Sequence, residues 1–265
     1  MGRQTGLIKV SGNIGGVSFY RSNGEDLARV ANGPSKEKIQ SDDNFIRTRE
    51  NNSEFGGSAT VAKALRLAFA SDVLLMADNR LASRLTAFFK DICTKGTGVR
   101  GQRPIELSAN MSALENLEFN NKLSFGSVFN APYTLVTKPT RDKATFTAVA
   151  FNPQTFIKAP SGATHFRVGM TMSVVSDYVF NTATGKYEAT DPDSGKLTKA
   201  DAGLIQPLKP VAPVPINLSC ALPPAPVLTA TMSVVLGLGI EFYQQVGGVD
   251  YHLAQGNCMK IVKVF

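Results

Sequence analysis

The sequence predicts an α+β chain: a glycine-rich β-arm over residues 1–33, a helical segment over 34–103 and a C-terminal antiparallel β-sandwich over 104–265 of about seven or eight strands. Three observations carry this reading. The first 33 residues hold seven of the 23 glycines, set between short apolar runs. Apolar residues then recur at helical spacing, and from about residue 122 the period falls to two.

In the arm, Gly6-Leu-Ile-Lys-Val10, Val17-Ser-Phe-Tyr-Arg21 and Asp26-Leu-Ala-Arg-Val30 read as strands, joined by Gly12-Asn-Ile-Gly-Gly16 and Ser22-Asn-Gly-Glu25. Asn23-Gly24 fits a type I′ hairpin turn, which needs positive φ at both central residues. Three short strands are marginal alone and must pack on something, either the rest of the chain or a neighbouring copy. The residues available for that contact are Leu7, Ile8, Val10, Val17, Phe19, Tyr20, Leu27 and Val30.

Ser41-Asp-Asp-Asn44 is a helix-start cluster, and Phe45 to Phe55 suits a surface helix that Gly56-Gly57 is expected to interrupt. Val61, Leu65, Ala68 and Phe69, then Leu81, Leu85, Phe88 and Ile92, mark the buried faces of two amphipathic helices. Arg80 and Arg84 lie one turn apart and offer a surface to an acidic partner, or simply a solvated face.

His165 to Val174 alternates strictly and places Phe166, Val168, Met170, Met172 and Val174 on one face. Thr231 to Phe242 does the same with Met232, Val234, Leu236, Leu238, Ile240 and Phe242. Each reads as a long, half-buried strand. Thr-Met-Ser-Val-Val occurs in both, at 171–175 and 231–235, each copy running on into aromatic residues and a glycine-bearing turn. Between them, Pro207 to Pro226 holds seven of the 14 prolines, so it must be an edge strand or a polyproline-like crossing. Lys260 to Phe265 reads as a last strand.

The composition names no chemistry. Cys93, Cys220 and Cys258 are odd in number and widely spaced, which suits neither a disulfide framework nor a zinc site. His165 and His252 show no metal-ligand spacing. Gly12 to Gly16 is not G-x-G-x-x-G, no P-loop or G-x-S-x-G elbow is present, and Asp191-Pro-Asp-Ser-Gly195 lacks the later ligands of a calcium loop. No cofactor, metal or catalytic residue is predicted, and the chain is read as a non-enzyme. The opening residues lack the apolar run of a signal peptide, and Val227 to Ile240 is shorter than the ~18 apolar residues of a spanning helix, so synthesis in the cytoplasm without a membrane span is expected. Residues 1–103 carry 16 Lys+Arg against 10 Asp+Glu, but no basic block forms, and the charge pattern argues against a nucleic-acid partner.

Residues 12–21, 45–56 (Phe-Ile-Arg-Thr-Arg-Glu-Asn-Asn-Ser-Glu-Phe-Gly) and 239–244 (Gly-Ile-Glu-Phe-Tyr-Gln) resemble a group of Bacteroidetes proteins of similar length and unknown function. The resemblance implies a bacterial or phage-like source and no transferable site. The function expected from the arm is structural: its strand edges add to a neighbouring copy and build a homo-oligomer, either a filament or a phage-like particle that leaves the cell assembled. The alternative is a β-sandwich module that binds polysaccharide or another surface through Tyr178, Tyr187, Tyr243 and Tyr251.

Overall fold

A computed structural model describes residues 2–30, 33–223 and 227–265. The chain mixes helices with mostly antiparallel sheets, as an α+β reading requires. It divides into two compact units, residues 1–49 and 50–265. The partition expected at residues 33 and 103 differs from this division, because the helices after residue 50 share a core with the strands that follow them.

The first unit is a four-stranded sheet of β1 (Gly2–Arg3), β2 (Gly12–Ile14), β3 (Val17–Ser22) and β4 (Glu25–Val30) in the order β1-β4-β3-β2. Two tight turns hold it. Asn23 and Gly24 have φ of 52° and 83°, and Gly15 and Gly16 have φ of 56° and 78°, so two-residue turns of the same hand close β3 on β4 and β2 on β3. Residues 6–10 form no strand. Val10 instead donates its N–H to Gln4 Oε1 (2.9 Å) and accepts at its carbonyl from Gln4 Nε2 (3.2 Å). The glycine-rich run expected as a turn has itself taken the free edge of β3. Residues 31 and 32, the end of the expected arm, lie outside the described residues. Next comes α1 (Lys36–Ser41), whose first turn is capped by Ser35, and a 3₁₀ turn capped by Asp42.

The second unit holds most of α2 (Ile46–Ala68), then α3 (Ala70–Met76) and α4 (Leu81–Lys95). The helix α2 runs unbroken through Gly56-Gly57, against expectation. Gly57 has a packing role there: a Cβ at this position would stand 2.5 Å from the Tyr187 ring. The helical faces read from the sequence are buried at Val61, Leu65, Ala68, Phe69, Leu81, Leu85 and Ile92, with Phe89 in place of Phe88 as the fully buried aromatic.

The strands that follow are β5 (Tyr133–Thr137), β6 (Lys143–Phe151), β7 (His165–Ser176), β8 (Tyr178–Asn181), β9 (Lys186–Ala189), β10 (Thr198–Asp201), β11 (Gln206–Pro207), β12 (Val214–Ala221), β13 (Met232–Val246), β14 (Val249–His252) and β15 (Cys258–Val264). A six-stranded sheet is built on the β7–β13 pair, which runs in register over twelve residue pairs, with β10 and β11 along β7 and β14 and β15 along β13. The order β12-β6-β5 makes a three-stranded sheet, and β8 and β9 pair by themselves. The two Thr-Met-Ser-Val-Val copies meet antiparallel around the Val174–Val234 pair, so a local two-fold relates them. Proline behaves as expected: Pro215 lies in β12, paired on one side only, at a register irregularity. The crossing's last residues, 224–226, lie outside the described residues.

Phe166, Met170, Met172, Val174, Val234, Leu238 and Phe242 pack with Phe146, Leu218 and Cys220 of the smaller sheet in one core. The opposite face is also covered, which corrects the half-buried reading. Val175, Val235, Met259 and Ile261 share a second core with Leu65, Phe69, Leu85 and Phe89 of the helices, and Thr171 and Ser233 are buried. Small residues permit this close approach: a Cβ on Gly237 would lie 3.0 Å from the Phe69 ring, and one on Gly239 would lie 2.6 Å from Met76 Sδ.

Candidate functional site

The register of the N-terminal sheet sorts its side chains onto two faces. Val17 pairs with Val30 and with Ile14, and Phe19 pairs with Ala28 and Gly12, so one face is an apolar stripe. The other face carries Tyr20 opposite Leu27 and Ser18 opposite Arg29. There the Arg29 guanidinium lies 5.5 Å from the Tyr20 ring, and Arg3 pairs with Glu25 at 2.5 Å. No described residue of the unit is buried. Ile14 is 57% exposed and Val30 64%, on either side of the partly buried Val17.

The eight arm residues singled out in the sequence thus fall into three places. Val17, Phe19 and Val30 lie on the apolar face, Tyr20 and Leu27 on the polar one, and Leu7, Ile8 and Val10 in the segment without a ladder. Leu7 is fully exposed and Ile8 85% exposed. The sequence reading missed Ile14, because Gly12 to Gly16 looks like a turn throughout. Its one signal was Gly15-Gly16, a second two-residue turn beside Asn23-Gly24.

The polar clusters of the second unit hold structure together. Arg84 directs one end of its guanidinium to both carboxylate oxygens of Asp78 at 2.8 Å and the other to the carbonyls of Glu118 and Phe119 at 3.0 Å, while Arg80 is exposed. Glu54, 1% exposed, accepts from Lys90 Nζ (2.5 Å), Arg103 Nε and Nη2 (both 2.8 Å) and the Gly101 N–H (2.8 Å). Burial alone would raise its pKa; the hydrogen bonds from Arg103, Lys90 and Gly101 prevail and hold it at about 2. Beside it, Tyr187 donates to the Arg103 carbonyl at 2.9 Å.

A second carboxylate, Glu241, accepts from Arg167 (2.7 Å) and Tyr243 (2.6 Å), with His252 Nε2 at 3.5 Å. Asp72 on α3 has the contrasting environment. Its Oδ2 is buried without a partner, and desolvation, helped by the nearby Glu241 charge against a Thr171 hydrogen bond, pushes it up to about 6. The stacking surface expected of four tyrosines does not form: Tyr178, Tyr187 and Tyr243 are buried, since their hydroxyls or rings serve internal contacts, and Tyr251 alone is well exposed.

Cys93, Cys220 and Cys258 are buried free thiols. Among the described residues no cluster of three or more His, Cys, Asp or Glu has metal-site geometry, and no helix is long and apolar enough to cross a membrane. No protein-family model matches the chain, and no curated protein shows significant similarity to it.

Proposed function

We propose that the chain is a structural subunit that joins copies of itself, through its N-terminal arm, into a filament or phage-like particle. In this reading the second unit's two larger sheets are the sandwich body and the first unit is the connector. One observation supports it most: a folded sheet of four strands with an apolar face, Ile14, Val17, Phe19, Ala28 and Val30, none of which is buried in the single chain. Burying apolar surface contributes roughly 25 cal/mol per Å², and a sheet this small needs a covering layer to be stable. A second copy supplies such a layer.

The test uses the exposure itself. Ile14→Lys and Val30→Lys replace side chains already in water, so the folded chain should keep its circular dichroism spectrum and its melting temperature. Sedimentation velocity should show large species for the parent and monomers for the double variant. Equal polymer content in both, or a parent that stays monomeric at high concentration, overturns the proposal.

A further inference from the structure

Strand addition needs an acceptor edge as well as a donor, and the sheet edges of the second unit differ in how well they are closed. The outer edge of β12 carries Pro215 and a register irregularity, and its Ser219 N–H is already taken by Asp201 Oδ2 at 2.8 Å. The outer edge of β15 is covered by the chain at residues 116–119, through Asn116 N–H to the Ile261 carbonyl, Phe119 N–H to the Met259 carbonyl and Ile261 N–H to the Leu117 carbonyl. The strands β10 and β14 are four residues long and bear Lys199 and Asp201, and Asp250, respectively. These are the usual devices that keep edges from pairing.

The edge of β5 has none of them within its five residues, although Pro132 precedes it and Lys138-Pro139 follows it. Tyr133-Thr-Leu-Val-Thr137 is five residues long, uncharged, free of proline and rich in β-branched and aromatic side chains. It pairs with β6 alone. The Lys138 N–H bonds the Lys143 carbonyl at 2.9 Å, so the alternation of an antiparallel ladder turns Val136 and Thr134 toward β6 and leaves Tyr133, Leu135 and Thr137 with N–H and C=O pointing outward. The side chains beside this edge also leave room for another strand: Tyr133 is 40% exposed although its ring packs 4.9 Å from that of Phe146, and Leu135 is only partly buried against the core. On the outward face of the sheet, the rows Thr134, Thr147, Asn217 and Val136, Thr145, Ser219 carry no charge, and Lys143 opposite Ala221 follows at the hairpin end.

The same chain holds a segment with the opposite deficiency. Among the described residues, 6–10 join no ladder, with Leu7 fully and Ile8 85% exposed, and only Val10 has its backbone groups taken, by the Gln4 side chain. We infer that β5 is the acceptor edge of the assembly, and that Gly6-Leu-Ile-Lys-Val10 of a second copy adds to it as a fourth strand. Donor and acceptor are both five residues long. In a chain with net charge +7, contact between copies is least opposed at a strand such as β5, whose own five residues are uncharged. This inference rests on the assembly reading above and adds to the apolar face a second contact, made by residues 6–10 of the arm.

Three sets of full-length variants test it. Thr137→Pro removes an outward N–H without touching the β6 ladder, and Val136→Lys charges an exposed position on the edge. Each should weaken association by about tenfold in sedimentation equilibrium while leaving the melting curve in place. Ile8→Cys in one copy and Val136→Cys in another should form a disulfide-linked pair on mild oxidation, which Ile8→Cys with Val179→Cys should not. If the parent assembles and both edge variants assemble equally well, the acceptor is wrong and the assembly reading stands. A parent that is monomeric overturns both. Should Ile8→Cys and Val136→Cys link only when placed in one chain, as a monomer, the segment serves its own chain and the inference fails.

Discussion

Two antiparallel sheets in this molecule are built from similar short-range rules and end in opposite environments. The β2–β3–β4 ribbon of the first unit has correct turns, alternating side chains and paired ladders, yet no residue in it is buried. The β7–β13 ribbon of the second unit is buried on both faces, with Val174, Val234, Val175 and Val235 each at 0% exposure. Local hydrogen bonding therefore does not distinguish them; the presence of a covering layer does. A ladder bond contributes only about 1 kcal/mol net, whereas a fully buried aliphatic side chain contributes roughly 1.5–3 kcal/mol. The second unit supplies its own layers. The first contains no layer of its own over its apolar face, and this is the physical content of the assembly proposal.

The comparison is tested hardest by introducing the same charge into both ribbons. Val234→Asp loses a buried side chain and buries an unpaired carboxylate, which should cost roughly 5 kcal/mol or more; Ser233→Asp, on the helix-covered face, should cost about 3–5 kcal/mol. In the first unit, Ser18→Asp and Val30→Asp should change the unfolding free energy of the monomer by no more than about 0.5 kcal/mol. Urea unfolding of the four variants decides it. A tolerant Ser233 would mean that the helical layer does not seal the sheet, and an intolerant Val30 would mean that the first unit is already covered.

Inside the second unit, burial has opposite consequences for two carboxylates. Glu54 is held at about 2, below its ordinary 4.5, so the stability that it contributes is complete above pH 4.5 and is lost as pH falls toward 2. Its Gln variant leaves Lys90 and Arg103 without their counter-charge and should cost about 3–5 kcal/mol at neutral pH. Asp72 is raised to about 6 from 3.8, so the native state binds the extra proton between those values and stability falls as pH rises through that window. Asp72→Asn should therefore stabilise the chain by up to about 3 kcal/mol at pH 8 and by little at pH 4. Equal melting temperatures for Asp72→Asn and parent at pH 8 would show that Oδ2 finds water.

The sequence made the inward rows of β7 and β13 readable, because strict alternation of Met, Val, Leu and Phe has only one explanation. It did not show their other face. There the residues are Thr171, Ser173, Ser233, Gly237 and Gly239, which read as solvent-facing but are small so that α2, α3 and α4 can approach. The apolar atoms covering them come from residues 61–92, about 80 to 180 positions away, and no local pattern records that contact. In the arm, Asn23-Gly24 was legible and Gly15-Gly16 was hidden in a run of glycines, which concealed Ile14 from the list of interface residues. Arg84 looked like a surface cation because the Asp78 carboxylate and the two carbonyls it serves are fixed by the fold.

The finest distinction lies between two adjacent glycines, both of which the sequence marks as helix breakers. At Gly56 a Cβ meets nothing within 4 Å, while at Gly57 it would stand 2.5 Å from two carbons of the Tyr187 ring. Both lie in the interior of α2, so alanine should gain up to about 1 kcal/mol of helix propensity at either position. At Gly56 that gain is uncompensated, and Gly56→Ala should stabilise by about 0.5–1 kcal/mol. At Gly57 the ring must move, which strains the Tyr187 hydrogen bond to the Arg103 carbonyl; overpacking of this kind costs typically about 1–3 kcal/mol and should turn the net effect of Gly57→Ala destabilising. Tyr187→Leu should then relieve Gly57→Ala in a double-mutant cycle, because it removes the ring that clashes. If the two alanine variants melt at the same temperature, Gly57 is no packing glycine, and the unbroken course of α2 needs another cause.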